Sequence, residues 1–580
     1  MFRKTDPQRS LLECEFLVPP EKAERLRRSW AEPFRQRILP LIDEEVFRDA
    51  FSETTGRPNK SIRLMVCLHI LKEWNDLTDE QVLEQLEFNL LWQYALGITT
   101  EEAHTCQKSL HNFRVLLMEC HRAREEFERV TRAMAEADGL SLGRQRLDST
   151  HVMSNIAVLT RLGLFVETVT HFLKELRQEA PEAFASLDKG YARRYLEREG
   201  YFSDAKREQA RRRMPVVATD IYALVRAFES DAAVSAMPAY QMLERLFDEQ
   251  CEVVTDEDEG GGGDDEGGPV GGGGLRVKVR DPKEVASDSL QSPHDPDATY
   301  GHKGKGYEVQ VTETCGEENP YQVVTATLVN GAHESDQNAV EPVLDRLEQS
   351  EMKPKELTAD TGYGSGENIV ESAKRGVDLQ APVQNPNAPR PAEHFAAPVT
   401  DDFAPALPQE PEEATSAVAE SADAEKVLGL EVFVFGATYH DVLRCAAGHA
   451  PSSQHVADGQ LIATFPAEHC GSCLLRSRCP TRRLSGGDRQ LRRSPASIAT
   501  EVRQAEQQTA AFKDRYRTRS GIESTNHEGK GRHGLGHLRI RGRPRVELAA
   551  TLKLLALNVK RAVQYHVGLL TPPAPCACEA

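Results

Sequence analysis

The chain has no uninterrupted apolar stretch of the ~18 or more residues that a membrane helix needs. Its best apolar run, Leu548 to Val559, is too short and contains Lys553. The opening residues, Met1 to Asp6, lack the apolar core of a signal peptide. A cytoplasmic protein is therefore expected. Regular cysteine spacing is also missing for eight of the twelve thiols, Cys14, Cys67, Cys106, Cys120, Cys251, Cys315, Cys576 and Cys578. With no secretion signal, they read as reduced thiols rather than a disulfide framework. Base is in deficit too: the formal net charge is −19 over 580 residues. Taken as an average, that argues against a polyanionic partner.

The distribution of charge removes the objection. Residues Glu252 to Glu266 hold eight acids and no base, and Ala388 to Lys426 hold nine acids and two bases. Phe512 to Arg561 instead carries thirteen Lys or Arg against four Asp or Glu, a net of +9. Binding to nucleic acid depends on charge at the contact rather than on the mean.

That basic segment contains Tyr516, Arg519, Glu523 and Lys530, spaced Y-x2-R-x3-E-x6-K. At ~100° per residue the four would fall within an arc of about 60° on one helix. Gly529, Gly531 and Gly534 weaken a helix near Lys530, so the shared face is firmer for the first three. Two aspartates earlier in the chain sit where strand patterns end. Asp148 lies in Arg146-Leu-Asp-Ser-Thr-His151. Asp360 follows Glu356-Leu-Thr-Ala359 and precedes a glycine-rich turn, Thr361 to Gly364. Such turns bend sharply and present a carboxylate.

Together these residues resemble the signature of DDE transposases of bacterial insertion sequences. The resemblance implies that Asp148, Asp360 and Glu523 hold two Mg²⁺ (or Mn²⁺) ions, with Asp148 bridging them. It implies that Tyr516, Arg519 and Lys530 approach transposon-end DNA. Hard cations take carboxylate oxygens, and a two-metal site suits in-line displacement at phosphorus. The implied reaction has two stages. Water frees a 3′-hydroxyl at the transposon end, and that hydroxyl then attacks target DNA. The implied partners are double-stranded terminal inverted repeats and target, bound by a homodimer. Two other functions remain open: a non-catalytic DNA-binding protein derived from a transposase, and a nuclease on the same fold.

The order of patterns, with the resemblance, implies an α/β catalytic core with a ribonuclease-H-like mixed sheet. It would be assembled from 141–154, 295–387 and 500–565. Residues 1–140 read as an all-helical N-terminal domain, either one that binds the DNA ends or a plain bundle. Within it, Thr78 to Gln81 forms a capping box. Residues 155–251 read as a helical insertion. Residues 252–275 and 388–428 read as disordered linkers, and 430–485 as a small zinc-type insertion. There Cys445, Cys470, Cys473 and Cys479 are spaced C-x24-C-x2-C-x5-C. Four thiolates satisfy a structural Zn²⁺; His449 and His469 are alternative ligands, and four plain reduced cysteines remain open. Arg539, Arg541, Arg543 and Arg545 alternate along a segment expected to be extended, and read as phosphate contacts. His302 and Lys303 read as a loop that could also meet phosphate. Asp295 and Asp297 read as structural.

Overall fold

A computed structural model describes residues 1–5, 11–156, 159–197, 207–255, 269–270, 275–384 and 427–570. The chain forms two compact units, 1–354 with 520–580 and 355–519.

The first unit begins with helices. α1 (Pro20–Arg27) has Pro at its start, where the missing N–H costs nothing. α2 (Ile62–Trp74) is buried almost all round. α3 (Asp79–Phe88) opens on the expected capping box: Thr78 Oγ1 accepts from Gln81 N, and Gln81 Oε1 from Thr78 N. α4 (Leu90–Leu96) is capped by Asn89 and ends on left-handed Gly97. α5 (Gln107–Met118) and α6 (Arg122–Ala137) complete the set. Toward the C-terminus, α7 (Ile522–Arg532) leads to the closing helix α8 (Arg543–Leu570), which packs on α2 and α6. N- and C-terminal segments thus share one core, including Phe34, Leu68, Phe127 and Leu555.

The sheet of this unit is antiparallel. β1 (Arg144–Val152) pairs with β2 (Gly304–Thr314), which pairs with β3 (Val324–Gly331). Asp148 therefore lies in the middle of a nine-residue strand, not at its end. Between β1 and β2 stand three long helices, Arg161–Glu179, Arg207–Phe228 and Pro238–Gln250, with a core of their own around Phe165, Phe172 and Tyr240. The acidic stretch after them is not wholly linker. Cys251–Thr255 and Leu275–Val279 pair as antiparallel strands, because Cys251 and Val277 close over that core; 256–268 and 271–274 lie outside the described residues. So does 385–426, which takes in nearly all of the second expected linker.

In the second unit, β4 (Glu356–Ala359) runs parallel to β5 (Asp378–Gln380) through helix Gly366–Lys374. A four-stranded antiparallel sheet is built from Ser453–Ala457, Gln460–Phe465, Arg489–Arg493 and Arg482–Arg483. Two helices follow, Pro495–Glu506 and Ala510–Tyr516. The molecule is thus mixed α/β. Among the described residues, no helix is long and apolar enough to cross a membrane, and nine cysteines are free thiols.

Candidate active site

The Tyr516–Lys530 stretch is not one helix. A helix ends at Tyr516, a 3₁₀ segment spans Arg517–Gly521, and α7 begins after it. A constant 100° per residue fails across that break, and the boundary between the two units falls inside it, after Arg519.

Antiparallel register sets Asp148 opposite Val311 and Arg146 opposite Glu313. Arg146 and Asp148 share a strand face because side chains alternate. α7 packs on β1. Its Asn526 Nδ2 donates to Asp148 Oδ2 at 3.1 Å, and Thr525 Oγ1 donates to Glu313 Oε1 at 2.5 Å. Glu523 precedes Asn526 by three residues, about one helical turn, so the two are neighbours on the helix surface. Asp148 is only 9% exposed, whereas Glu523 is exposed. Lys530 lies two turns beyond Glu523. Burial pushes its ammonium pKa down, nearby Lys303 does the same, and Glu308 and Asp148 oppose them.

What fixes α7 is a charged network under it. Glu313 is fully buried and receives Arg146 Nε and Nη2 at 2.9 and 2.7 Å and Arg561 Nη1 at 2.5 Å. Arg561 Nη2 also donates to Thr525 Oγ1 at 2.8 Å, and Arg561 and Lys560 both hold Glu528. A buried carboxylate must be paired, and here the pairing ties β1, β2, α7 and α8 together. Gly521 belongs to the same arrangement: a Cβ there would lie 2.0 Å from Arg146 Nη1.

In the second unit, Asp360 directly follows β4, as expected. Gly362 N donates to its Oδ1 at 2.7 Å, an Asx-type turn. Arg519 Nη2 stands 3.6 Å from its Oδ2. Gly364 is required there, because a Cβ would lie 1.9 Å from Pro382 O. The ring of Tyr516 stacks on Phe512 at 5.8 Å between centroids.

The structure thus brings Asp148 to the helix that carries Glu523 and Lys530, and Asp360 to Arg519. The later arginines have partners within the chain. Arg539 pairs with Asp76 at 3.2 Å, Arg541 Nε donates to Asn155 O at 2.5 Å, and Arg543 Nη2 donates to Val329 O at 2.8 Å. Arg543 and Arg545 belong to α8 rather than to an extended segment. His302 and Lys303 turn the hairpin into β2, and Lys303 lies 3.7 Å from Glu308. Asp295 is structural as expected: buried, it accepts from Ser154 and Tyr307.

Cys445, Cys470, Cys473 and Cys479 line one small pocket with His449 and His469, whose rings stack at 4.4 Å. Burial raises the Cys470 thiol, and the other three thiols add to the shift. Among the described residues, no three His, Cys, Asp or Glu side chains are gathered closely enough to hold a metal ion.

Sequence reading missed Asn526, Glu313, Arg146 and Arg561. Asn526 had a signal in its turn-length spacing from Glu523, and Arg146 in its alternation with Asp148. Glu313 and Arg561 had none, since only the register and the packing of α8 bring them together.

Known proteins point to the same family. One family, described as "Transposase DDE domain", matches residues 444–563, and another, described as "Transposase domain (DUF772)", matches 22–116. An "Uncharacterized protein ORF8 in nfe locus" of Rhizobium meliloti is 47% identical over 64 residues, 10% of this chain and 31% of that protein. The match therefore spans about a third of that relative's length. No solved structure matches. With one transposase domain matched toward each end of the chain, the matches support a DDE transposase of an insertion sequence.

Proposed function

We infer that the chain cuts DNA at transposon ends and joins those ends to target DNA, with Asp148, Asp360 and Glu523 as the catalytic carboxylates. The observation that carries the reading is the Asn526–Asp148 hydrogen bond, which sets the helix bearing Glu523 against the strand bearing Asp148. The donor chemistry suits Mg²⁺ or Mn²⁺, since all three groups offer hard oxygen. Bound there, two such ions would supply Lewis-acid stabilisation and an activated oxygen nucleophile.

The rest falls to the chain's own side chains. Asn526 orients the Asp148 carboxylate. Arg519 beside Asp360, and Lys530 beyond Glu523, offset phosphate charge. Tyr516 meets a base or the backbone. Arg539 and Arg541 add phosphate contacts by exchanging their present partners. The catalytic part is read as a ribonuclease-H-like core, the 22–116 region as a binder of terminal repeats, and the acting form as a homodimer on DNA in the cytoplasm. The expected structural Zn²⁺ rests on the four thiols that line the Cys445–Cys479 pocket; to hold it they would have to draw closer together than the structure places them. Metal analysis of purified protein should return one zinc per chain, lost in Cys470→Ser.

The test is metal-dependent nicking and joining of duplexes that carry the element's ends. Asp148→Asn, Asp360→Asn and Glu523→Gln should each abolish both steps while DNA binding persists. Binding with no nicking by the unmodified chain would leave a non-catalytic DNA-binding protein. Nicking without joining would leave a nuclease.

A further inference from the structure

All three tryptophans of the chain, Trp30, Trp74 and Trp92, line one cavity of about 540 Å³ in the helical N-terminal part of the first unit. Its size is that of a small-ligand site, about 300–1,000 Å³. Trp30 and Trp74 lie 5.5 Å apart with planes tilted 53°. Both are partly exposed, while Trp92 is buried at 4%. The aromatic walls are joined by amides. Asn75, which lines the cavity, donates from Nδ2 to Leu71 O at 2.9 Å, so its oxygen is the group left to accept. Gln85 Oε1 accepts from Asn89 Nδ2 at 2.7 Å, which leaves its NH₂ group as a donor. Gln564 of α8 adds an exposed amide.

A second recess adjoins this one, with Gln85 and Asn89 lining both. It presents Lys22 and Arg25, exposed side chains of α1, together with one exposed carboxylate, Glu84. Aromatic faces, one amide acceptor, one amide donor and a flanking pair of cations are the parts that hold an unstacked nucleotide. The ring stacks, the amides meet its edge, and the cations meet its phosphates. An aliphatic side chain would leave the amides and the charge unused.

We propose that this cavity binds an unpaired nucleobase of DNA, with Lys22 and Arg25 on the adjoining phosphates. None of the three carboxylates lines it, and the proposal rests on the reading of the chain as a DNA-processing transposase. It would hold a nucleotide extruded or frayed from the strand.

Because every tryptophan lines the cavity, intrinsic fluorescence reports on it directly. The experiment titrates the full chain with a short oligothymidylate, the same strand carrying abasic sites, and a blunt duplex of equal charge. Quenching by the strand with bases, at least roughly fivefold tighter than by the abasic strand, is expected, since base–aromatic stacking is worth that much or more. Lys22→Ala/Arg25→Ala should weaken the quenching and lower its salt dependence by ~1 per residue removed. Equal quenching by the abasic strand, or no quenching by any strand, overturns the proposal. Asp148→Asn should quench like the unmodified chain. Failure of the nicking assay with quenching intact therefore sinks the catalytic reading alone.

Discussion

Asn526 donates from Nδ2 to Oδ2 of Asp148 across 3.1 Å, joining residues 378 apart in sequence. Its own buried Oδ1 has no hydrogen-bond partner among the described residues. One amide thus gives a donor to Asp148 and holds an acceptor in reserve beside it.

Removing that amide tests its positioning role. Partners that orient a ligating carboxylate typically contribute about 10–100-fold to affinity or activity. Asn526→Ala should lower the nicking rate by that order and raise the Mg²⁺ concentration needed for half-activity, with little change in DNA affinity. Asn526→Asp should be worse, because a second carboxylate beside Asp148 repels it. A purely structural role would show instead as a lowered melting temperature with an unchanged metal requirement.

The local patterns of the sequence carried over well. The capping box at Thr78 and the strand before Asp360 were both legible, because each depends on neighbours within a few residues. What failed was continuity across long range. The single helical face from Tyr516 to Lys530 was an extrapolation through Arg517–Gly521, which tightens to 3₁₀. The four alternating arginines read as phosphate contacts, yet Asp76, 463 residues before Arg539, comes to meet it. Glu252–Thr255 read as linker from its acids, but it pairs with a strand that closes a core.

Arg561 of α8 should be a stability determinant of the site. It shares buried Glu313 with Arg146, and it also binds Thr525 and Glu528. Removing one partner of a buried pair typically costs ~3–5 kcal/mol, because the remaining charge stays buried. Arg561→Met should lower stability toward that range in urea unfolding, with Arg146 limiting the loss. A change under ~1 kcal/mol would mean that Arg146 alone satisfies Glu313.

Gly521 should tolerate no side chain, and its conformation is not the reason. Its φ is −62°, open to any residue. The obstacle is Arg146, whose Nη1 would lie 2.0 Å from a new Cβ. That guanidinium cannot swing aside without leaving Glu313. Gly521→Ala should therefore cost as much as weakening the buried pair, ~1–3 kcal/mol within the span for overpacking. Ser524→Ala, at an exposed position of the same helix, should cost under ~0.5 kcal/mol. In a double-mutant cycle, Gly521→Ala should cost nothing further once Arg146→Ala has removed the obstacle.

The helical N-terminal part should lose stability on mild acidification through His69. This side chain is 1% exposed, its Nδ1 donates to Met65 O at 2.8 Å, and its buried Nε2 has no partner among the described residues. Burial pulls its pKa down from 6.5 to about 4. Folding therefore favours the neutral ring. Between pH ~6.5 and ~4 the unfolded chain takes up the proton first, so stability falls as pH drops through that window. At ~1.4 kcal/mol per pKa unit, the difference of about 2.5 units bounds the loss at roughly 3 kcal/mol. Urea unfolding of the full chain at pH 7 and pH 4.5, followed by tryptophan fluorescence, measures it. All three tryptophans lie in the same hydrophobic core as the residues around His69. His69→Phe keeps the aromatic contact with Phe113, whose ring lies 5.7 Å away. It should flatten the decline by the same amount. An unchanged slope in that variant would assign the acid sensitivity to carboxylates instead.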